Sequence, residues 1–322
     1  TSQETTHCQF SFSNRILATK VTATPIWLDI WDQNDTNIYF NPVLLSCRVP
    51  YGLPVTTFYL VPKPCTNVQE DITERLIQWI EICRILGAEK IEIYVKNIKK
   101  KVWRILKWYS STYPNEITIK KFKVLREQKA PDANTSQSFS RILWQKRRYE
   151  VILSSPLDID EVIVPQNVFT WKDFVNDIDS VIGTEERFAS FMVPNAYFLG
   201  QQTSRSRNKF FFLENVYRTQ FSPSGESGKS FISTKDSLTI FNHYTLDVLR
   251  PGVNRTFFLP ASIAQLNHYK ESCNSVILPE CVKYVSSRRV RDFTILKYRK
   301  VFMNNYRKSV SMLKALGFLL SQ

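Results

Sequence analysis

Three acids in four positions, Asp158, Asp160 and Glu161, stand in SSPLDIDEVIVPQN directly ahead of the apolar run Val162-Ile163-Val164. Carboxylate oxygens are hard ligands, and two set close together can hold a divalent cation that in turn grips a diphosphate. The flanking residues place them. YEVIL before and VIV after read as strands, so the acids lie at or near the carboxyl end of a core strand, where open α/β sheets bind their ligands. Strand alternation then turns Asp158 and Asp160 to one side and Ile159 to the other. On spacing alone a second reading stands beside this one, in which the pair caps a neighbouring helix or meets Arg147 and Arg148. The chain carries an internal comparison in NDIDS. There Trp171, Phe174, Val175, Ile178 and Ile182 keep helical spacing, which puts Asp177 and Asp179 on a solvated face.

Histidine supplies the other candidate ligands. Two of the three histidines, His243 in FNHYT and His268 in LNHYK, lie late in the chain in closely similar surroundings, where a third ligand could return to the sheet. Imidazole suits manganese or zinc better than magnesium, and beside aromatic residues it equally serves as a structural group.

The elements that must position these groups follow from the pattern. VTTFYLV at 55–61 reads as a buried strand ended by Pro62 and Pro64. In DITERLIQWIEICRILG the residues Ile72, Leu76, Ile77, Ile80 and Cys83 share a helical stripe, Asp71 with Glu74 has the spacing of a capping box, and Gly87 is the stop. IEIYV at 91–95 is a strand, VWRILKWY at 102–109 a helix and ITIKKFKVL at 117–125 a strand. This alternation implies an α/β core with a largely parallel sheet. PDANTSQSFS at 131–140 is a surface loop. After Asn195 the pattern weakens, SRSRNK and SPSGESGK read as exposed loops, and FMNNYRKSVSMLKALGFLL returns to helical spacing. The simplest partition is an N-terminal β-rich layer over 1–54, packing on a catalytic-size domain over 55–322.

Composition bounds the class. A chain of 322 residues with 43% hydrophobic content buries a real core, and 43 Lys plus Arg against 29 Asp plus Glu leave +14, a balance that suits anionic partners or ligands. The basic runs KNIKKKVWRILK, QKRR and SSRRVR interleave with aromatics, but Trp103 and Leu106 fit a buried stripe with the lysines outside, so nucleic acid is not the expected partner. Three sequons, at Asn34, Asn134 and Asn254, and an even set of six cysteines favour the secretory pathway. Cys273 and Cys281 bracket a short loop that could close as a disulfide, and Cys83 is as readily an inert buried thiol. No apolar run is long enough to span a bilayer. The chain opens at Thr1 without methionine, and an anchor or signal is expected ahead of it.

Taken in order, VPKPC at 61–65, WIEICRILGAEKIEIY at 79–94, LDIDEVIVP at 157–165, ASFMVPNAYF at 189–198, GKSFISTKDSLTIFNHY at 228–244 and AQLNHYKESC at 264–273 resemble glycosyltransferase family 92, most nearly its arthropod branch. VRDFTILKY and the final LGFL extend the likeness. The resemblance implies a GT-A-type nucleotide-sugar-binding fold on a type II membrane protein of the Golgi lumen. It implies a metal-dependent inverting transferase that moves galactose from UDP-galactose to a glycan or glycoprotein acceptor, with fucose of the N-glycan core joined in β-1,4 linkage. Carried over, Asp158 and Asp160 would hold Mn²⁺ and the ribose or diphosphate of UDP, with Glu161 supporting the loop. His268, or else His243, would complete the ion's shell, and Lys229 would meet the diphosphate. Glu185, Glu186 and Glu214 are the candidate general bases, and spacing selects none. One departure is visible. Relatives carry an Asn-Asp-Cys segment upstream of the acids, whereas this chain reads TSQSFSRILWQKRRYEVILSSP, with Ser154-Ser155-Pro156 breaking into the strand. The alternative reading that follows is a catalytically weak or silent glycan- or partner-binding protein on the same fold.

Overall fold

The computed structural model describes strands 7–12, 15–20, 22–25, 43–46 and 59–62, then residues 71–95, 98–121, 152–183, 185–199, 210–270 and 283–319. The N-terminal strands β1 (His7–Phe12), β2 (Arg15–Lys20), β3 (Thr22–Pro25) and β4 (Val43–Ser46) form two antiparallel pairs, β1 with β2 and β3 with β4. Two consecutive βαβ units follow: β5 (Tyr59–Pro62), α1 (Thr73–Ile85), β6 (Ile91–Val95), α2 (Lys100–Thr112) and β7 (Ile117–Lys121). Then come β8 (Ile152–Leu157), β9 (Glu161–Pro165), α3 (Trp171–Asn176), α4 (Ile178–Ile182), β10 (Arg187–Val193), β11 (Asn195–Leu199) and α5 (Phe211–Glu214). The chain continues with β12 (Tyr217–Arg218), β13 (Lys229–Ser233), β14 (Ser237–Ile240), β15 (Thr245–Val248), β16 (Val253–Phe258), β17 (Ala264–Lys270), β18 (Val290–Arg291) and α6 (Arg299–Ala315).

Two sheets organise these strands. One has seven in the order β16-β10-β13-β8-β5-β6-β7, the other five in the order β18-β12-β11-β17-β9. The protein is therefore mixed α/β, and the expectation of a largely parallel sheet is corrected: across the two sheets parallel and antiparallel neighbours are equal in number. The reason is connectivity. Helical crossovers keep β5, β6 and β7 parallel, whereas the antiparallel neighbours, such as β13 beside β8 and β17 beside β9, are strands brought together from distant parts of the chain. The second half, where the sequence pattern weakens after Asn195, is strand-rich, while SPSGESGK up to Gly228 is the loop expected and SRSRNK lies outside the described residues.

The chain passes from the first sheet to the second at three points. It crosses from β8 to β9 through Asp158-Ile159-Asp160, from β10 to β11 through Pro194 alone, and from β16 to β17 through 259–263. Pro156 does not end β8. Pairing to β5 jumps from Leu60 with Ser154 to Pro62 with Leu157, so the proline falls in a bulge where no ladder donor is required. Gly228 is dictated by the second crossing, since a Cβ there would stand 2.4 Å from the Val193 carbonyl oxygen.

Helix α1 is buried on nearly every side and packs against both α2 and α6. It stops as its sequence requires: Gly87 has φ +90°, its N–H reaches the Arg84 carbonyl at 3.1 Å, and the Ala88 N–H reaches that of Cys83 at 3.0 Å. Its start differs from expectation. Asp71 accepts the Thr73 N–H at 3.1 Å from outside the helix, and the capping residue Ile72 makes no side-chain bond, so no capping box forms with Glu74. The expected single helix after Thr170 is broken into α3 and α4 at the exposed Asp177, with Thr170 capping α3 through the Asp173 N–H at 3.1 Å. Cys83 is buried and free. The 131–140 loop, Asn34, Asn134, Cys273 and Cys281 lie outside the described residues, and no helix among those described is long and apolar enough to cross a membrane.

Two buried acids tie these layers. Glu81 on α1 accepts Tyr109 Oη of α2 at 2.7 Å and Ser309 Oγ of α6 at 2.7 Å, with Arg84 at 3.2 Å. Removing one member of such a group strands the others, so Glu81→Ala should lower unfolding free energy by about 3 kcal/mol in urea melts. Asp292 accepts Arg218 Nε at 2.7 Å and Gln265 Nε2 at 3.1 Å, and binds the Thr294 N–H and hydroxyl. Burial alone would raise its carboxyl, but bonds from Thr294, Arg218 and Gln265 outweigh burial and hold it below the usual range. For a depressed carboxyl the stabilisation is complete above the unfolded value, 3.8, and is lost as pH falls through the folded one. Asp292→Asn should thus flatten the loss of stability as pH falls below the unfolded value of 3.8, measured by urea melts at successively lower pH.

Candidate functional site

Asp158 and Asp160 do not lie in a strand. They stand in the turn between β8 and β9, which the Glu161 N–H at the start of β9 closes on the Asp158 carbonyl at 3.0 Å. The alternation expected to aim Asp158 and Asp160 together is replaced by this turn, and Ile159 packs against the core. Glu161 stabilises the turn a second time, because its Oε2 accepts the Asp158 N–H at 2.8 Å. Its backbone carbonyl accepts Trp79 Nε1 of α1 at 3.0 Å, and the Tyr269 N–H binds the Asp160 carbonyl at 2.8 Å. The turn is thereby fastened to α1 on one side and to β17 on the other.

His268 faces this turn from β17, directly opposite Glu161 in the antiparallel register. Its Nε2 stands 3.9 Å from Asp160 Oδ2 and its Nδ1 3.6 Å from Glu161 Oε1, both beyond hydrogen-bond range. Among the described residues neither ring nitrogen has a hydrogen-bond partner, although the side chain is buried. Burial lowers its pKa, against the pull of Glu161 and Asp160, and the neutral ring that this favours is the form that ligates metal.

Two lysines complete the cluster. Lys229, the first residue of β13, is 1% exposed and lies between Glu161 Oε2 at 3.3 Å and Asn242 Oδ1 at 3.1 Å. Lys270, two residues beyond His268 on β17, holds Asp160 Oδ2 at 2.8 Å and keeps 21% of its side chain exposed. Sequence reasoning missed Lys270 and Asn242. The signal for Lys270 was present in AQLNHYK, since strand alternation sets residues 268 and 270 on one face; Asn242 left no such mark.

The other candidates lie elsewhere. His243, in the turn between β14 and β15, binds the Gly228 carbonyl through Nδ1 at 2.6 Å, and Ser230 Oγ donates to the His243 carbonyl. It thereby clasps the GKSF segment beside Lys229. Glu185 and Glu186 are exposed ahead of β10, and Glu214 ends α5. Glu186 accepts Asn254 Nδ2 at 3.1 Å and lines a groove of about 630 Å³ with Phe188, Tyr244, Arg255 and Phe258. Asn254, the one sequon asparagine within the described residues, is exposed on β16.

The donor set fits a divalent cation in part. Asp160 Oδ2 and the unsatisfied His268 Nε2 are a carboxylate and a neutral imidazole facing one another, with Asp158 two residues away. Among the described residues no three His, Cys, Asp or Glu side chains converge as a cage. Such a site takes its remaining ligands from phosphate oxygens and water, as hard cations in nucleotide sites do. Glu161 supports all of this from below, and Glu161→Ala would release the turn and take from the buried Lys229 the carboxylate that stands 3.3 Å away. The expected cost is about 3 kcal/mol in a chemical melt.

The family model for Glycosyltransferase family 92 matches residues 63–306, a span that takes in the acid turn, Lys229 and both late histidines. No curated relative matches the chain.

Proposed function

From membership of glycosyltransferase family 92, to which this chain belongs, we infer a metal-dependent inverting transferase that moves galactose from UDP-galactose to a glycan acceptor. Fucose of the N-glycan core is the proposed acceptor, in β-1,4 linkage, and the Golgi lumen the proposed compartment, reached by an N-terminal anchor. The proposed architecture is a GT-A-type nucleotide-sugar domain. The observation that carries the reading is the buried His268 ring, unpartnered at both nitrogens and turned toward Asp160 at the point where one sheet gives way to the next. A buried polar group without a partner is costly and calls for a ligand to satisfy it.

In this reading Asp160 and His268 hold Mn²⁺ and Asp158 meets the ribose or diphosphate. The bound cation supplies Lewis acidity at the leaving diphosphate. The acceptor hydroxyl oxygen attacks the anomeric carbon, the bond from that carbon to the diphosphate oxygen breaks with its electron pair going to UDP, and the hydroxyl proton passes to a base. Glu185, Glu186 and Glu214 are the carboxylates offered for that proton. Glu161 keeps the turn in shape throughout, and the low dielectric around His268 strengthens each charge interaction beside it.

A second reading, a silent glycan-binding protein, draws support from Lys270, whose ammonium already neutralises Asp160. Calorimetry separates the two. Mn²⁺-dependent UDP binding in the micromolar range, weakened at least about tenfold in a folded Asp160→Ala variant, is the expected result. Transfer from UDP-galactose to a core-fucosylated glycopeptide should vanish in the same variant. A folded wild-type protein that binds no UDP with Mn²⁺ would leave the silent reading standing.

A further inference from the structure

We propose that Lys270 is an exchangeable cation: it occupies Asp160 in the free protein and moves to the donor diphosphate when a divalent ion takes that carboxylate. The inference rests on the reading of the turn as a cation- and diphosphate-binding site. Three observations carry it. Lys270 Nζ lies 2.8 Å from Asp160 Oδ2, the same oxygen that His268 Nε2 faces at 3.9 Å. A dication bound between that oxygen and the imidazole would share one atom with an ammonium, and two cations so close repel strongly where solvent is largely excluded. The pair with Lys270 therefore has to open.

The second observation is the deficit left while Lys270 stays. His268 is buried with both nitrogens unsatisfied, so the lysine neutralises Asp160 without satisfying its neighbour. A cation on Asp160 and His268 answers both needs at once. The third is access. Lys229 is enclosed at 1% exposure between Glu161 and Asn242, whereas Lys270 ends β17 with a fifth of its side chain open. Of the two lysines beside the acids, Lys270 is the one placed to turn toward a ligand arriving from solvent. On β17 it shares a face with His268, so the group it leaves and the group it reaches are on one side of the sheet. Lysine serves this as a point charge on a flexible stem, able to exchange one oxygen for another.

The consequence is a pair of opposed effects in one variant. In Lys270→Gln, Mn²⁺ alone should bind about tenfold more tightly, because no ammonium competes for Asp160, while UDP at saturating Mn²⁺ should bind about tenfold more weakly, because a charge-assisted contact is gone. Both are read by titration calorimetry, with no turnover required. Lys270→Arg, which keeps the charge, should leave both affinities within about threefold of wild type and also serves if the glutamine variant does not fold. Shifts in the same direction, or none, in a folded Lys270→Gln protein whose wild type binds Mn²⁺ and UDP overturn the exchange alone. An arginine variant that loses UDP as the glutamine one should also overturns it. A folded wild type that binds neither Mn²⁺ nor UDP overturns the reading of the site, and the exchange with it.

Discussion

A carboxylate taken out of water must find compensation close at hand, and Glu161 is the place where this protein solves that problem. At 2% exposure it opens β9 just as the chain leaves the seven-stranded sheet. Its oxygens accept the Asp158 N–H and meet Lys229, its carbonyl accepts Trp79, and His268 lies across from it. Each of these partners comes from a different element. The turn, the core helix, both sheets and the histidine strand are thus held in one arrangement by a residue that need never touch a ligand. Asp158 and Asp160 keep partial exposure while Glu161 is enclosed.

How much of this was readable beforehand depends on the range of the interaction. Helix α1, β6 and α2 were legible because their signals are local: a 3.6-residue stripe, a Gly at the stop, β-branched runs. The acid turn was legible as a location, since the apolar residues flanking it are local too. Its geometry was not, because period-2 alternation assumes a strand continues, and here the chain turns. Sheet direction failed for a related reason. Strands such as KSFIS and TLDV are short and half polar, and nothing in a strand's own residues states which neighbour it will run beside. Lys270 meets Asp160 across 110 residues of sequence, a separation at which pattern carries no information.

The charge excess is likewise arranged in a way that composition conceals. Around the acid turn, Lys229 and Lys270 are matched by Glu161 and Asp160. Helices α2 and α6, KKVWRILKWYSST and RKVFMNNYRKSVSMLKA, carry nine basic residues and no acid. Lys100 and Lys101 stand in the first turn of α2, where the helix dipole disfavours positive charge, and Asp71 relieves Lys101 at 2.9 Å. A net charge of +14 thus says little about the acid turn, where lysine and carboxylate are paired.

The sealed thiol of Cys83 alters what the cysteine count means. Burial raises its pKa well above that of an open thiol, so it is a poor nucleophile and takes no bridge. The even set of six cysteines left open whether Cys83 was bridged, and with it withdrawn the remainder is odd. Within these 322 residues at most two disulfides can close, and at least one of Cys8, Cys47, Cys65, Cys273 and Cys281 finds no partner inside this span.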